Sequence, residues 1–366
     1  MKIIHLISGS LGQGGAERLV MDLASAQAEL EKDVSICCFR QYDSTQIDIS
    51  DKVKLHTFNK TIGVSPTLTF RIAKYIKSER PDVVNCHLPA VFPYLIWPLL
   101  MCKDVKFFYT VHSNPQDEEP RKVVRILRKM FIESGKLTFI GISSLVGKCF
   151  TKQYGLNSGI PVICNGRKTQ QPTESLLSVK REVEELKQND ETRVFLAVGR
   201  LTREKNYVLM LAAFRKLQDE NVTLVALGKD YDCFLERHRD DIPSNVHFLG
   251  SKDNVIDYLS IADCFIMSSL YEGSPIAIIE AMSAGLPIVS TSVGGVPDMV
   301  TDGVNGFLSD SLEVNGFVKA IKRYLSADQT DLSRISESNR MKYASVYDIK
   351  KTAEQYISLY RRHQTR

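Results

Sequence analysis

The chain is poor in the features that announce simple answers. Its 366 residues hold one tryptophan, and its eight cysteines (Cys37, Cys38, Cys86, Cys102, Cys149, Cys164, Cys233 and Cys264) include no C-x-x-C pair. Most of these thiols sit in apolar, strand-like runs and the histidines are scattered. That argues for a reducing compartment, against a disulfide framework and against a zinc site. No apolar run reaches the ~20 residues a bilayer span needs. The most apolar stretch, "AVFPYLIWPLLMC" (90–102), is broken by prolines. The start, "MKIIHLIS", turns polar after a few apolar residues and reads as a first strand, not a signal peptide. The expectation is a cytoplasmic chain that does not cross a membrane, with peripheral attachment to the inner face of the plasma membrane left open. Excess charge of one sign is also lacking: the net charge of +4 is too small to imply nucleic acid. It is uneven, with 21 Lys/Arg against 15 Asp/Glu in residues 1–166 and 26 against 28 in the remainder. A basic first half suits an anionic substrate or membrane surface, and equally suits neither.

What is present is an alternation of short apolar runs with helical patterns, which argues for parallel sheets flanked by helices. The first half reads as strands "KIIHLIS", "DVSICCFR", "VVNCH", "KFFYTVH" and "LTFIGIS". After the first strand, Ala16, Leu19, Val20, Leu23 and Ala24 recur at helical period. A polar, charge-rich stretch (166–193) follows, and the pattern restarts with "VFLAVG", "VTLVALG", "VHFLG", "CFIMSS" and "PIVSTS". Length and pattern predict two α/β domains, 1–165 and 191–345, with a linker over 166–190. Ile349, Ala353, Tyr356, Ile357 and Tyr360 predict a helical tail over about 346–366. Ligands of open parallel sheets bind beyond the carboxyl ends of the strands, so the residues just after strands are the candidates.

After the first strand comes "SGSLGQGGAERL" (8–19). Gly12, Gly14 and Gly15 would let a ligand approach the backbone at a helix N-terminus, where an anion is favoured. The spacing is not the dinucleotide pattern, and "CCFRQ" at the end of the second strand offers no acid to a ribose. A tight strand-to-helix turn accounts for the loop equally well. In the second half, Arg200 ends a strand and Lys205 follows before a helix. A guanidinium fork and an ammonium point charge suit a diphosphate. A solvated charged loop suits the segment as well.

"YEGSPIAIIEAMSAGLPIVST" (271–291) has a clear local grammar. Ser274 predicts an N-cap, Pro275 the first helical position and Gly285 the end. Glu272 then lies in the loop after a strand and Glu280 on the helix. Two carboxylates there suit hydrogen bonds from sugar or ribose hydroxyls, and the amides from Gly273 to Ile276 suit anionic oxygens. Taken singly, Glu280 also reads as an outward helix glutamate and Glu272 as a turn residue.

A further segment, "DEEPRKVVRILRKMF" (117–131), predicts a helix starting near Pro120. Val123, Ile126, Leu127 and Met130 form one stripe, and Arg121, Arg125, Arg128 and Lys129 another. Over 120–132 this suits an anionic membrane surface, or a packed helix with a basic solvent face.

The glutamate segment with its sequel "EAMSAGLPIVSTSVGGVPDMVTDGVNGFL", together with "GGAER", "VGRLTREKN" and "VICNGRK", resembles the retaining GT-B glycosyltransferases of family 4, the glycosyl transferases group 1. The resemblance spans nearly the whole chain. It implies an α/β GT-B architecture: two Rossmann-like domains with parallel sheets facing across a cleft, and a C-terminal helix crossing back to the first domain. It implies an acceptor in the first domain and a nucleoside diphosphate sugar in the second. On this resemblance Arg200 and Lys205 are the diphosphate clamp, with no metal and no cofactor. Glu280 takes the ribose hydroxyls and Glu272 the donor sugar, helped by amides at Gly273, Ser274 and Ile276 around Pro275. Gly14 and Gly15 approach the diphosphate, and His112 stands near the transferred sugar. The loop "GSKDNV" (250–255), with Ser251 and Val255, holds the base. The junction departs from the family's common Pro-Asn-Gly-Val-Asp: here it is Cys164-Asn165-Gly166-Arg167-Lys168.

The expected activity is transfer of a sugar, from a UDP-sugar in preference to a GDP-sugar, to a glycan or lipid-linked glycan in surface polysaccharide or glycolipid synthesis, with no nucleic-acid partner. A nucleotide-sugar epimerase shares the architecture but not the glutamate segment. A non-catalytic nucleotide-sugar-binding protein is the reading from another class, and Arg200, Lys205, Glu272 and Glu280 together argue against it. The glycine spacing disfavours a dehydrogenase.

Overall fold

A computed structural model describes residues 1–12, 14–42, 47–112 and 121–364. The chain divides into two compact units. The first is Met1–Lys168 with Val346–Arg366, and the second is Thr169–Ser345.

The first unit is built on a parallel sheet of β1 (Lys2–Ile7), β2 (Asp33–Cys38), β3 (Lys54–Thr57), β4 (Val83–His87), β5 (Lys106–Val111) and β6 (Leu137–Gly141). Their order is β3-β2-β1-β4-β5-β6. Five of six residues are buried in each of β1, β2 and β5, and all five in β4. Burial on both faces is why these strands read as near-continuous apolar runs. β3 was not legible as a strand: it is four residues at the sheet edge and none is buried.

The second unit repeats the plan with β7 (Arg193–Val198), β8 (Val222–Leu227), β9 (Val246–Gly250), β10 (Cys264–Met267), β11 (Ile288–Thr291) and β12 (Phe307–Ser309). The order β12-β11-β10-β7-β8-β9 matches the first sheet, with β7 in the place of β1 and β10 in the place of β4. In each sheet the winding reverses between those two strands, and the crevice for a ligand opens at their carboxyl ends. In the first unit that point is flanked by the loop 8–12 and His87. In the second it is flanked by Gly199–Arg200 and Ser268–Glu272.

The tail helix, Ile349–Gln364, belongs to the first unit. Its Ile349, Ala353, Tyr356 and Tyr360 are buried in one apolar cluster with Ile3, Leu19, Leu23, Ala26, Val83 and Phe108. The stretch 166–190, expected as a linker, is built into the two units. Arg167 buries an ion pair with Asp22 of the helix Gly15–Glu29, and its backbone bonds Tyr347 and Ile349 of the returning chain. Leu176–Glu184 is a helix with Val179 and Val183 buried. Thr173 Oγ1 donates to Asp257 and Tyr258 donates to Glu182, which fastens this segment to the second unit. Its polar composition reflects one solvent face, not an absence of structure.

Candidate active site

In the second unit the loops after β7 and β10 are stitched together. Lys205 Nζ lies 2.6 Å from Glu272 Oε1, and Ser269 Oγ donates to the same oxygen at 2.6 Å. Ser268 Oγ donates to the carbonyls of Lys205 and Asn206, each at 3.0 Å, and Leu270 N–H to that of Glu204 at 2.8 Å. The Lys205 and Glu272 side chains are 25% and 11% exposed, so the pair is sheltered yet reachable. An ammonium and a carboxylate held together in this way offer a cation to an anionic group and acceptors to hydroxyls.

Two glycines make this geometry possible. Gly294, at φ 57°, lies against the Glu272 carbonyl, where a Cβ would collide with backbone, and Gly295 N–H donates to that carbonyl at 2.8 Å. Gly228 on the neighbouring strand end leaves room for the Gly199 carbonyl. That carbonyl accepts from Tyr207 Oη at 3.0 Å, and burial with the Glu272 charge nearby pushes the phenol's pKa up, keeping it a donor.

Arg200 is exposed at the carboxyl end of β7. The Glu204 carboxyl in the same loop is held below its ordinary range by its own backbone amide and Thr202, with Arg200 and Arg203 adding to the effect. The helix carrying Glu280 is Ile276–Ala284, and Gly285 (φ 77°) ends it as expected. Its start differs by one residue. Pro275, extended at ψ 119°, takes the N-cap place that Ser274 was expected to fill, and Ile276 opens the helix. Proline has no N–H to lose there and no side-chain oxygen to cap with. Glu280 is 7% exposed rather than outward-facing, among Ile278, Ile279, Ala281 and Met282. Gly273 and Ser274 bridge the Glu272 loop to this helix. Ser251 and Val255 follow β9, two strands from β7. Ser251 is exposed and Val255 buried.

In the first unit Gly14 is the N-cap of the helix Gly15–Glu29, without a side-chain cap, and the Glu17 carboxylate lies where a Gly14 Cβ would stand. His112 follows β5. Its Nε2 lies 3.0 Å from His87 Nδ1, His87 Nε2 lies 3.0 Å from His5 Nδ1, and His5 Nε2 lies 2.8 Å from Gln27 Oε1. Burial lowers the pKa of His5 to about 4 and of His112 to about 4. It lowers that of His87 further, with His112 and His5 adding to it. The sequence reading passed over His5 and His87. The signal was a polar residue at alternate positions near the ends of three strands: His5, Asn85 and His87, Thr110 and His112.

The predicted basic stripe on the helix Lys122–Glu133 is broken. Arg128 is buried, its guanidinium 4.9 Å from the Phe92 ring, 5.1 Å from Tyr109 and 5.9 Å from Phe139. The predicted apolar stripe divides as well. Leu127 packs on the core, while Val123 (69%), Ile126 (61%) and Met130 (58%) are exposed. The acidic residues 117–119 and Pro120, expected to start this helix, lie outside the described residues. Among the described residues no helix is long and apolar enough to cross a membrane.

Comparison with known proteins identifies the family and the fold. Residues 13–171 match the model "Glycosyltransferase Family 4" and residues 178–344 the model "Glycosyl transferases group 1". An Escherichia coli relative, UDP-Gal:alpha-D-GlcNAc-diphosphoundecaprenol alpha-1,3-galactosyltransferase, is 26% identical over 78% of this chain and 77% of its own. A glycosyltransferase structure from Rickettsia africae superposes with a TM-score of 0.82 at 17% identity, over 99% of this chain and 98% of that one. Anabaena HepE, in complex with UDP and glucose, superposes at 0.77 and 18% identity, over 98% and 99%. The two family models together span most of the chain, and the chain belongs to the GT-B glycosyltransferases of family 4, group 1.

Proposed function

We propose that this glycosyltransferase is a retaining, metal-independent enzyme that transfers a sugar from a UDP-sugar to a glycan or lipid-linked glycan acceptor. The observation that carries the reading is the Lys205–Glu272 pair, assembled by the loops after β7 and β10 where the second sheet changes direction. Arg200 and Lys205 clamp the donor diphosphate. Glu272 takes hydroxyls of the transferred sugar and Glu280 those of the ribose. The amides around Gly273, Ser274 and Ile276 hold anionic oxygens, Ser251 and Val255 border the base, and Gly14 and Gly15 approach the diphosphate.

Retention follows a same-face course. The departing phosphate oxygen takes the proton of the acceptor hydroxyl while the new glycosidic bond forms. Catalysis then rests on positioning and on cations placed where charge grows. Arg200 and Lys205 supply that charge, which leaves no step that calls for a metal or cofactor. The UDP preference is supported by the E. coli relative's donor and by the UDP bound to the Anabaena neighbour.

A lipid-linked acceptor is supported by the exposed Val123, Ile126 and Met130, flanked by Lys122, Arg125 and Lys129. Such a helix lays apolar side chains into an anionic lipid surface with its cations at the headgroups, a peripheral association.

The test is nucleotide release from a panel of UDP-, GDP- and ADP-sugars with and without acceptor, repeated in EDTA, with the product's anomeric configuration read by NMR. UDP release that depends on acceptor, survives EDTA and leaves the anomer unchanged is the expected result. Tight nucleotide binding without turnover would favour a binding protein, and an inverted anomer would end the same-face mechanism.

A further inference from the structure

The helices of the first unit carry a second group of exposed apolar side chains. Phe70 and Trp97 pack on each other, ring centroids 5.1 Å apart, and are 51% and 44% exposed. Phe70 stands in the first turn of the helix Leu68–Glu79 and Trp97 in that of the helix Ile96–Met101. Leu100 and Met101, three and four residues past Trp97, continue the exposed face. Ile62 and Val64, at 90% and 88%, crown the loop before Phe70, and the Lys60 ammonium folds that loop by donating to the carbonyls of Thr61 and Gly63. Scattered single apolar residues need no partner, but a contiguous aromatic and aliphatic surface holding the sole tryptophan does.

Charge identifies the partner. Between Val53 and Lys103 the only acidic residues are Glu79 and Asp82. Both are engaged at the opposite, amino edge of the sheet: Glu79 accepts from Lys2 Nζ at 2.6 Å and Asp82 from Lys2 N–H at 2.7 Å. The solvent face of the helix Leu68–Glu79 carries Phe70, then Arg71, Lys74 and Lys77. A second copy of the chain would bring two basic faces together. An anionic bilayer accepts every part: rings at the headgroup level, aliphatic tips among the acyl chains, cations on the lipid phosphates.

The helices Leu68–Glu79, Ile96–Met101 and Lys122–Glu133 share one face of the first sheet. Leu68, Ile72 and Leu99 enter one core cluster with Ile4 and Val84, and Val124 and Leu127 pack against it. The alternate strand residues Ile3 and Val83 face the first and tail helices instead. Cys102 Sγ donates to the Ala73 carbonyl, and Arg128 stands over the Phe92 ring, which fastens the layer side by side. The outer faces therefore turn the same way, and one surface meets Phe70, Trp97 and Ile126 together.

We propose that Phe70, Trp97, Leu100 and Met101, with the loop tip Ile62 and Val64 and the cations Arg71, Lys74 and Lys77, form a binding surface for an anionic lipid bilayer. It acts jointly with the helix Lys122–Glu133. Its use rests on the reading of a lipid-linked acceptor. One interfacial element binds weakly and reversibly, whereas two on one rigid layer hold the unit in a fixed attitude. The loop after β3 and the first turn bearing Phe70 lie at the carboxyl edge of the sheet, so lipid meets the unit beside its ligand edge.

The experiment uses Trp97 as the probe, on the full chain with vesicles of phosphatidylglycerol and phosphatidylethanolamine, and with phosphatidylcholine alone. Flotation measures total binding; Trp97 emission and its quenching by acyl-brominated lipid measure contact at this surface. With anionic vesicles the emission should shift to the blue and be quenched, and high salt should reverse both. Flotation without a Trp97 response overturns the proposal and leaves the helix Lys122–Glu133 as the contact. Absence of flotation, or an equal response to phosphatidylcholine, also overturns it. So does a blue shift that grows with protein concentration in the absence of lipid, since a second copy then covers the rings. Phe70→Glu with Leu100→Glu should weaken vesicle binding about tenfold or more. UDP release on a soluble acceptor should stay unchanged, which separates loss of this surface from failure of the donor reading. Unaltered vesicle affinity in that variant overturns the proposal.

Discussion

Acid should weaken the first unit through its histidine row. His5 is buried and its pKa falls from 6.5 to about 4. The unfolded chain binds a proton at this ring near its ordinary value while the native state refuses one. Stability is therefore intact above that value, declines as pH falls through the window between the two values, and levels off below the folded one. A gap of about 2.5 units at ~1.4 kcal/mol each is about 3 kcal/mol from His5 alone. His87 and His112 act in the same direction, from the same cause. The assay is urea unfolding at a series of pH values in wild type and His5→Gln, which removes the titrating ring while keeping polar atoms. Trp97 is the sole tryptophan and lies in the first unit, so its fluorescence reports that unit's transition. The variant's loss of stability from about pH 6.5 to 4 should be smaller than wild type's by about 3 kcal/mol. Parallel curves for the two proteins would refute the claim that His5 is held neutral by burial.

Four further outcomes are expected. Lys205→Ala or Arg200→Ala, in a folded protein, should lower kcat roughly 100-fold or more, because each cation acts on charge that grows as the donor bond breaks; a near-normal rate in a coupled UDP-release assay would remove the clamp assignment. Gly294→Ala should destabilise the second unit by roughly 1–3 kcal/mol, since a side chain there is strained at positive φ and meets the Glu272 carbonyl; circular-dichroism melting would detect it. Asp22→Ala should weaken the first unit by about 3–5 kcal/mol, because it leaves the buried Arg167 guanidinium without its carboxylate; Trp97 fluorescence in urea is again the readout. Ile126→Glu should abolish flotation with anionic liposomes at low salt while leaving turnover on a soluble acceptor unchanged.

Much of this protein is legible from residue order alone. Strands such as β4 and β8, buried on both faces, read as mostly apolar runs broken by Asn85, His87 and Thr223, so their presence and the two-sheet plan show directly in the chain. The tail helix shows in the spacing of Ile349, Ala353, Tyr356 and Tyr360, since only one face of it meets the core. Local grammar fails where it is short or shared. The edge strands β3 and β12 have four and three residues, too few for a period to appear. At Pro275 the ring's fixed φ fits both the N-cap and the first helical position, and the surrounding loop chose the former. Side-chain partners lie further still from what order can tell. Lys205 and Glu272 are 67 residues apart and meet because β7 and β10 are neighbours in the sheet. Arg128 reads as a solvent cation, yet three aromatic rings from distant segments enclose it. His5, His87 and His112 are unremarkable singly. Register and the shared direction of parallel strands align them, and the helix packed above brings Gln27 to the end of the row. Residue order determines which segments must be buried and in what form. Which polar groups then share that burial, and so which must bond to one another, is decided only when the strands take their places side by side.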